Sequence, residues 1–326
     1  MLGLIIATVV LVVLLLLSIA VGSKNIPLEV VLESLRHNTG EGDNYVIWSL
    51  RIPRTAAGLA VGISLGVAGA LIQALTRNPL ADPGILGVNA GAAFFVTISI
   101  AVFGVTSING YVWWAFAGAL LVTVAVYLIG SAGRGGAGPV QLTLAGVALA
   151  AVLGGIVTAM VLVDPLTFDR MRHWGAGSIV NRGWDILLPV APFLIVGVVL
   201  AALGTSALNS IALGDDLARS LGVNIVRTRV LVIIAVTLLA GGATAIAGPI
   251  GFVGLMVPHV ARWFVGPDQR WIFAYTLVLA PALMLTADLV GRTIIAPGEF
   301  PVGIVMAFVG APVLIYLVRR KKVSGL

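Results

Sequence analysis

The sequence of 326 residues is 60% hydrophobic and only 10% charged, with a mean hydropathy of +1.11. A soluble domain carries about 25% charged residues, so the composition excludes an ordinary soluble protein and predicts an all-α, polytopic membrane protein. The excess of 19 basic over 13 acidic residues does not indicate nucleic-acid binding, because basic residues also orient membrane proteins and meet anionic lipid. The absence of cysteine excludes disulfides, thiolate chemistry and cysteine-ligated metals.

Ten apolar segments follow one another along the chain, which predicts about ten transmembrane helices in a single domain, 1–326. The first segment has no basic region before it, so we interpret it as a transmembrane helix and not as a cleaved signal. The eighth is short and contains Pro249 and Pro258. Merging it with the seventh would give nine spans and termini on opposite sides. The predicted segments are 2–21, 54–75, 84–104, 112–130, 140–163, 186–204, 230–248, 249–264, 271–291 and 301–318.

Basic residues predict the orientation of the bundle. Four of them, Arg319 to Lys322, directly follow the last apolar segment, and basic residues beside a span favour the cytoplasmic side. With ten spans, both termini are then cytoplasmic.

The second predicted segment, 54–75, carries small residues at every fourth position. Such a ridge allows helix backbones to approach closely, so we expect this helix to lie in the interior of the bundle. The ridge consists of Gly58, Gly62, Gly66, Ala70 and Ala74.

The longest polar interruption in the second half of the chain is 206–229, which the orientation places in the cytosol. Its centre carries the signals of a helix of about eight residues: acidic residues in the first turn, where the helix dipole favours them, a later arginine, and a glycine where a left-handed cap belongs. The residues with these signals are Gly214, Asp215, Asp216, Arg219 and Gly222.

Three leucines of this predicted helix, Leu213, Leu217 and Leu221, recur every four residues and form one apolar stripe. So short a helix is marginal alone in water, and the stripe therefore needs a partner. The residues leave two interpretations open. The helix folds back on its own protein or on the lipid surface, or it is a docking element for a soluble protein.

Arginines also occur at the predicted outer face. Arg51 and Arg54 begin the second segment, and Arg292 ends the ninth on the same face. If these ends meet, they form a cationic patch that could hold a carboxylate of a substrate or of a docked protein. Ordinary snorkelling to lipid headgroups is the alternative.

Several kinds of chemistry lack the residues they need. No lysine follows a glycine and precedes a serine or threonine, so there is no P-loop for ATP hydrolysis. The three histidines are scattered without metal-ligand spacing, and no nucleophile elbow occurs. We therefore predict a non-enzymatic chain without a metal site. Asp288 is the clearest ionisable residue within the spans. It is a candidate for proton coupling, or is simply paired with Arg292 one turn later.

Four stretches together resemble the permease subunits of ABC importers for iron–siderophore complexes, haem and vitamin B12. The resemblance covers nearly the whole chain and is strongest to ferric-enterobactin permease subunits, notably in LTRNPLADPGILGVNAGA and QLTLAGVALAAVL. The stretches are RIPRTAAGLAVGISLGVAGALIQALTRNPLADPGILGVNAG (51–91), LGDDLARSLGV (213–223), GPIGFVGLMVPHVAR (248–262), and ADLVGR followed by PVGIV and GAPVLIYLVRR.

The resemblance implies a bacterial plasma-membrane protein that imports an iron–siderophore complex. It further implies a second permease subunit, identical or paralogous, with the pathway along the interface and lined by Val140–Val163. Two cytoplasmic ATPase subunits would bind ATP and magnesium and drive transport through 206–229. An extracytoplasmic binding protein would dock on Arg51, Arg54 and Arg292, and Asn78 and Leu80 would form the cytoplasmic gate.

Three alternatives stay open at this point. The first is the same machine carrying haem or cobalamin, which nothing internal to the chain excludes. The second is a proton-coupled secondary transporter that uses Asp288. The third, a membrane enzyme, is disfavoured because no nucleophile–base pair or metal set is visible.

Overall fold

The computed structural model describes residues 2–132 and 138–319, and every regular element in these ranges is helical. Besides the α-helices, these ranges contain a π-helix, Val46–Arg51, and a 3-10 helix, Pro83–Leu86. The α-helices are α1 (Leu2–Ala20), α2 (Leu28–Arg36), α3 (Gly42–Tyr45), α4 (Ile52–Thr76), α5 (Val88–Ala101), α6 (Ile108–Ser131), α7 (Pro139–Val163), α8 (Pro165–Gly175), α9 (Trp184–Ala212), α10 (Asp215–Ser220), α11 (Ile225–Ala247), α12 (Val253–Val265), α13 (Gln269–Ile294) and α14 (Val302–Arg319).

Seven helical stretches of the described chain are long and apolar enough to cross a membrane, and α5, α12 and the start of α14 are shorter apolar helices. These ten elements correspond one to one with the predicted apolar segments, so the predicted all-α, polytopic class is confirmed. One boundary differs clearly: α9 ends at Ala212, eight residues beyond the predicted end of the segment at 204. The coupling segment 206–229 therefore begins inside a long helix.

The eighth predicted segment is a separate helix, and the nine-span alternative is wrong. The chain breaks after α11 at Gly248, whose φ of 74° lies in the left-handed region, and α12 begins only at Val253. Arg229 near the start of α11 pairs with Asp215, while Asp268, just after α12, accepts a hydrogen bond from Asn209 of α9. Because α9 leads directly into α10, the start of α11 and the end of α12 lie at the same end of the bundle.

We call this end, with Arg77, α10 and Asp268, the inner end, and the opposite one, with Arg54 and Arg292, the outer end. The names follow the predicted orientation. The start of α1 is at the inner end, since Gly3 lies against Tyr275 early in α13. Helix α14 begins at the outer end, where the amide of Gly303 donates to the carbonyl of Gly177. Its described end, 16 residues later, therefore lies toward the inner end. The basic tail 320–322 falls outside the described residues.

The interior of the bundle is built on α4. In the continuous helical stretch Gly42–Thr76 that contains it, 78% of the most apolar 18-residue segment is buried. Its small residues lie directly against the backbone of other helices, as predicted: a Cβ on Gly62 would lie 2.6 Å from Cα of Pro281 on α13, and Gly66 meets Ala280 one turn away. On another side Gly69 contacts Gly254 of α12. Close backbone contact of this kind is how membrane helices pack tightly without a hydrophobic driving force.

Candidate functional site

Two clusters of the predicted functional residues form, one at each end of the bundle. At the inner end α10 is a helix of six residues, Asp215–Ser220, and not of eight as predicted. It stops early because Leu221 leaves the helical conformation and Gly222 adopts φ 82°. The amide of Gly222 donates to the carbonyl of Arg219 at 2.9 Å, and that of Val223 donates to the carbonyl of Ala218 at 3.0 Å. These two bonds are a Schellman motif, the glycine-dependent helix end that the sequence indicates.

The start of α10 also follows the sequence signals. Gly214 precedes it with φ 114°, a conformation that side chains rarely adopt. Asp215 and Asp216 occupy the first turn, and Asp216 pairs with Arg219 at 2.9 Å. The end of this short helix is therefore fixed by a local motif, whereas its start has the predicted residues but no side-chain cap.

The three stripe leucines are exposed in this chain. Leu213, Leu217 and Leu221 have exposed fractions of 63%, 49% and 59%. The opposite side of α10 is covered, because Ala218 is fully buried against Ile211. The helix thus anchors on its own protein through one face and presents an uncovered row of leucines on the other.

The turn after α4 contains the two predicted gate residues. The Asn78 side chain accepts a hydrogen bond from the amide of Leu80 at 3.0 Å, and the Asn78 amide donates to Gln73 at 3.1 Å. Farther on, Asp82 caps the 3-10 helix by accepting from the amide of Gly84 at 2.8 Å. Burial raises the pKa of the Asp82 carboxyl above its ordinary value, although this hydrogen bond acts in the opposite direction. The gate role of Asn78 and Leu80 stays a prediction.

At the outer end, Asp288 is the centre of an ion cluster. Its side chain is 1% exposed, and its Oδ1 lies 2.7 Å from Nη2 of Arg54. Its Oδ2 accepts from Nε of Arg292 at 2.9 Å, and Arg292 also donates to the Ser18 carbonyl at 2.7 Å. The interpretation of Asp288 as a paired acid is confirmed, and it has two arginine partners where the sequence suggested one.

The third arginine, Arg51, is held differently. Its guanidinium donates to the carbonyls of Ile19 and Ala20 at the end of α1 at 2.9 and 2.6 Å, and to that of Lys24 in the following loop at 2.5 Å. Arg51 thus hydrogen-bonds to backbone carbonyls, whereas Arg54 and Arg292 hydrogen-bond to carboxylates.

Arg51, Arg54 and Arg292 line one cavity of about 220 Å³ at the outer end. Glu299 lines it too, and its Oε2 lies 2.6 Å from Nη1 of Arg54. Lys24 lines the cavity as well and pairs with Asp43 at 2.6 Å. With Asp288 behind the arginines, four cationic side chains are matched by three carboxylates, which leaves an excess of one positive charge. The three arginines do come together, but all are largely buried and already hydrogen-bonded. An incoming carboxylate must compete for them, and the docking role stays a prediction.

Sequence reasoning missed two members of these clusters. Arg77 pairs with Asp215 across 138 residues of sequence, and Glu299 pairs with Arg54 across 245 residues. No local pattern signals such pairs, because only the fold brings the residues together. Among the described residues no group of three histidine, aspartate or glutamate side chains is arranged to hold a metal ion.

The profile of the FecCD transport family matches residues 10–320. The chain belongs to the FecCD transport family. It is 51% identical to the ferric enterobactin transport system permease protein FepD of Escherichia coli (strain K12), over 95% of this chain and 92% of that protein. It is 33% identical to the hemin transport system permease protein HmuU of Yersinia pestis, over 94% of each.

The solved structures agree with this family. A chain from the inward-facing conformation of a metal-chelate type ABC transporter superposes with a TM-score of 0.85 and 27% identity, covering 97% of this chain and 98% of that one. This FecCD-family chain is therefore a multi-pass permease subunit of an ABC transporter.

Proposed function

We propose that this FecCD-family chain is the permease of a binding-protein-dependent ABC importer that brings an iron(III)–siderophore complex into a bacterial cell. The observation that carries the proposal is the 51% identity to a ferric enterobactin permease along nearly the whole of both chains. The chain would lie in the plasma membrane with both termini cytoplasmic. The location of the start of α1 and the end of α14 at one end of the bundle supports termini on the same side.

The energy for transport comes, in this proposal, from a dimer of ATPase subunits that binds ATP and magnesium in the cytosol. The absence of a P-loop from the sequence fits this division of labour. Segment 206–229 docks into the ATPase through Leu213, Leu217 and Leu221. Their exposure beside a firmly anchored helix supports this role, since a row of exposed leucines on a cytosolic element favours a protein partner.

A second permease subunit, identical or paralogous, completes the pathway. Only 11% of the most apolar 18-residue segment of α7 is buried within this chain, so the surface of α7 meets either lipid or another subunit. This exposure supports the expectation that Val140–Val163 lines the path at an interface. Asn78 and Leu80 would then close the path at the inner end.

An extracytoplasmic binding protein delivers the siderophore complex at the outer end. The excess positive charge around Arg51, Arg54 and Arg292 supports docking of an acidic side chain there, because a guanidinium binds a carboxylate with matched geometry.

Transport follows as a shift between outward-open and inward-open arrangements of the bundle. ATP can move this equilibrium only if the ATPases bind it more tightly in one arrangement than in the other. Segment 206–229 would transmit the movement of the ATPases to the helices of the permease.

Haem is the second candidate cargo, and the hemin permease relative is the observation that favours it. Its 33% identity, against 51% for the ferric enterobactin relative, makes the siderophore complex the better-supported substrate. Proton coupling through Asp288 is disfavoured because the carboxylate is buried between two arginines.

Uptake of labelled ferric catecholate and of labelled haem by cells expressing the full transporter tests the cargo. We expect accumulation of the ferric catecholate in an ATP-dependent manner. Preferential uptake of haem would overturn the siderophore assignment. Accumulation by the purified chain alone in vesicles, without nucleotide, would overturn the ABC mechanism.

The substitution Leu217→Asp tests the docking role of α10. A charge in the middle of the exposed leucine stripe should abolish co-purification of the ATPase, while the bundle still inserts at normal yield. Leu217→Met keeps an apolar side chain of similar volume and should retain the ATPase. Normal co-purification with Leu217→Asp would exclude this surface as the docking element.

A further inference from the structure

The carboxylate of Asp215 joins three elements at the inner end. Asp215 lies in the first turn of α10, and its Oδ2 accepts from Nη2 of Arg229 on α11 at 2.7 Å. Its Oδ1 accepts from Arg77, the residue at which α4 ends. Arg77 has φ 50°, so its backbone turns away from the helix axis while its side chain remains attached to the end of α4. One carboxylate therefore connects α10 with both α4 and α11.

The contact with α4 adds a link that the chain connectivity does not provide. Helix α10 packs on α9 and α11, the two helices that precede and follow it. A movement of α10 therefore reaches α9 and α11 through the backbone itself. Arg77 and Asp215 extend that movement to α4, which is 138 residues away in sequence.

Helix α4 is suited to carry such a movement to the outer end. It has 25 residues and runs without a break from Arg54 to its cap at Arg77, a length of about 35 Å at 1.5 Å per residue. Its contacts with α13 at Gly62 and with α12 at Gly69 leave no room for a side chain. At its outer end Arg54 is bonded to Asp288 of α13.

We propose that Asp215 is a positioning residue that ties the coupling helix to α4, so that displacement of α10 by the ATPase moves the central helix of the permease directly. This inference rests on the proposed function of 206–229 as the coupling segment. Asp215 touches neither ATP nor the cargo; it acts by holding Arg77 and Arg229.

The neighbouring acid provides a matched control. Asp216 carries the same charge in the same turn, but its side chain is fully exposed, and its ion pair within the described residues is with Arg219 of its own helix. Asp215→Asn and Asp216→Asn therefore remove the same charge with the same change of atoms. Only the first breaks the connection between α10 and α4.

The first experiment needs no partner protein. Because the chain contains no cysteine, spin labels attach only where Cys is introduced, here by Ser220→Cys on α10 and Thr76→Cys at the end of α4. The labelled chain is placed in lipid nanodiscs and the distance distribution is measured by pulsed electron paramagnetic resonance. We expect Asp215→Asn to widen or shift this distribution, and Asp216→Asn to leave it as in the unmodified chain.

The second experiment measures coupling in the complex with the ATPase that co-purifies with the chain. For Asp215→Asn we expect ATP hydrolysis to continue while uptake of labelled ferric catecholate per ATP hydrolysed falls about fivefold or more, the lower range of ordinary coupling between sites. Asp215→Glu, which keeps the carboxylate, should restore most of this ratio. A variant that was merely misfolded would lower hydrolysis and uptake together and would not be rescued in this way.

Identical distance distributions for Asp215→Asn, Asp216→Asn and the unmodified chain, or an unchanged uptake per ATP hydrolysed in Asp215→Asn, would overturn the inference. Failure of the unmodified chain to retain any ATPase would overturn the proposed function instead. In that case the distance measurement alone still decides whether Asp215 holds α10 to α4.

Discussion

Asp288 stabilises the outer end by sharing one buried carboxylate between Arg54 and Arg292. Asp288→Ala would leave both guanidinium groups buried beside a gap, and removing one partner of a buried ion pair costs about 3–5 kcal/mol. We therefore expect a large fall in the yield of monodisperse protein and in the midpoint of thermal unfolding in detergent.

An exposed ion pair is the control for this substitution. Asp169 pairs with Arg172 at 2.9 Å, and its side chain is 59% exposed. Asp169→Ala should change stability by no more than about 0.5 kcal/mol. Equal effects of the two substitutions would show that the outer cluster does not stabilise the bundle.

Burial of Asp82 leads to a prediction about pH. Its folded-state pKa is raised, so the ionised carboxyl costs free energy in the folded chain, and stability is lost as pH rises through the folded pKa. Asp82→Asn removes this charge and keeps an oxygen that can accept from Gly84. We expect the unfolding midpoint of Asp82→Asn to exceed that of the unmodified chain at pH 7, and the difference to shrink as pH falls and to vanish below the unfolded-state pKa of about 3.9. A lower midpoint at pH 7 would contradict this account.

Sequence spacing could predict one contact of Asp288 and not the other. Arg292 follows it by four residues, which places the two side chains on the same face of a helix. Arg54 is 234 residues away, and no periodicity connects the two positions. The same holds for Arg77 with Asp215. Contacts within one helix follow from its period, whereas contacts between helices depend on how the helices pack.

Among the helices, α4 depends most on the absence of side chains. Gly62→Ala would place a Cβ 2.6 Å from the Pro281 backbone and should force α4 and α13 apart. Overpacking of this kind costs about 1–3 kcal/mol, partly offset by the higher helix propensity of alanine, up to about 1 kcal/mol. We expect a lower unfolding midpoint in detergent.

Gly175 is the control, since it ends α8 and a Cβ there would meet nothing within 4 Å. Gly175→Ala should be neutral or slightly stabilising. If Gly62→Ala were equally harmless, the close approach of α4 and α13 would not contribute to stability.

Apolar segments were sufficient to predict where the membrane helices lie, but not where α9 ends. The stretch after 204 contains Ser206 and Asn209 and resembles a loop in composition. It is helical because Leu208 and Ile211 face the interior, while Asn209 bonds to Asp268 and Ser206 accepts from Arg270. These polar residues thus have hydrogen-bond partners at the start of α13. A helix end placed where the composition becomes polar therefore falls before the true end of α9.

For the molecule as a whole, the two ends differ in how completely their charges and apolar surfaces are covered. At the inner end the leucine stripe is exposed. At the outer end Asp288 accepts from Nε and Nη2 of Arg54, and Glu299 occupies the remaining nitrogen, Nη1. In the described part of the chain, the leucine stripe at the inner end is therefore uncovered, whereas the arginine cluster at the outer end is partly filled by Glu299.

This difference leads to a prediction about docking at the outer end. Glu299→Gln weakens the competitor for Arg54 without touching Asp288, so the binding protein of the transporter should bind the variant more tightly. A partly exposed ion pair contributes about 1 kcal/mol, which corresponds to about a fivefold decrease in Kd. The measurement is titration of the soluble binding protein against the permease in nanodiscs.

Glu41→Gln is the control for this substitution. It removes an exposed acid from the same end and should leave Kd unchanged, because Glu41 does not contact the three arginines. Weaker binding by Glu299→Gln would instead mean that Glu299 itself contributes to the docking surface, and that the arginines are held by their present partners during docking.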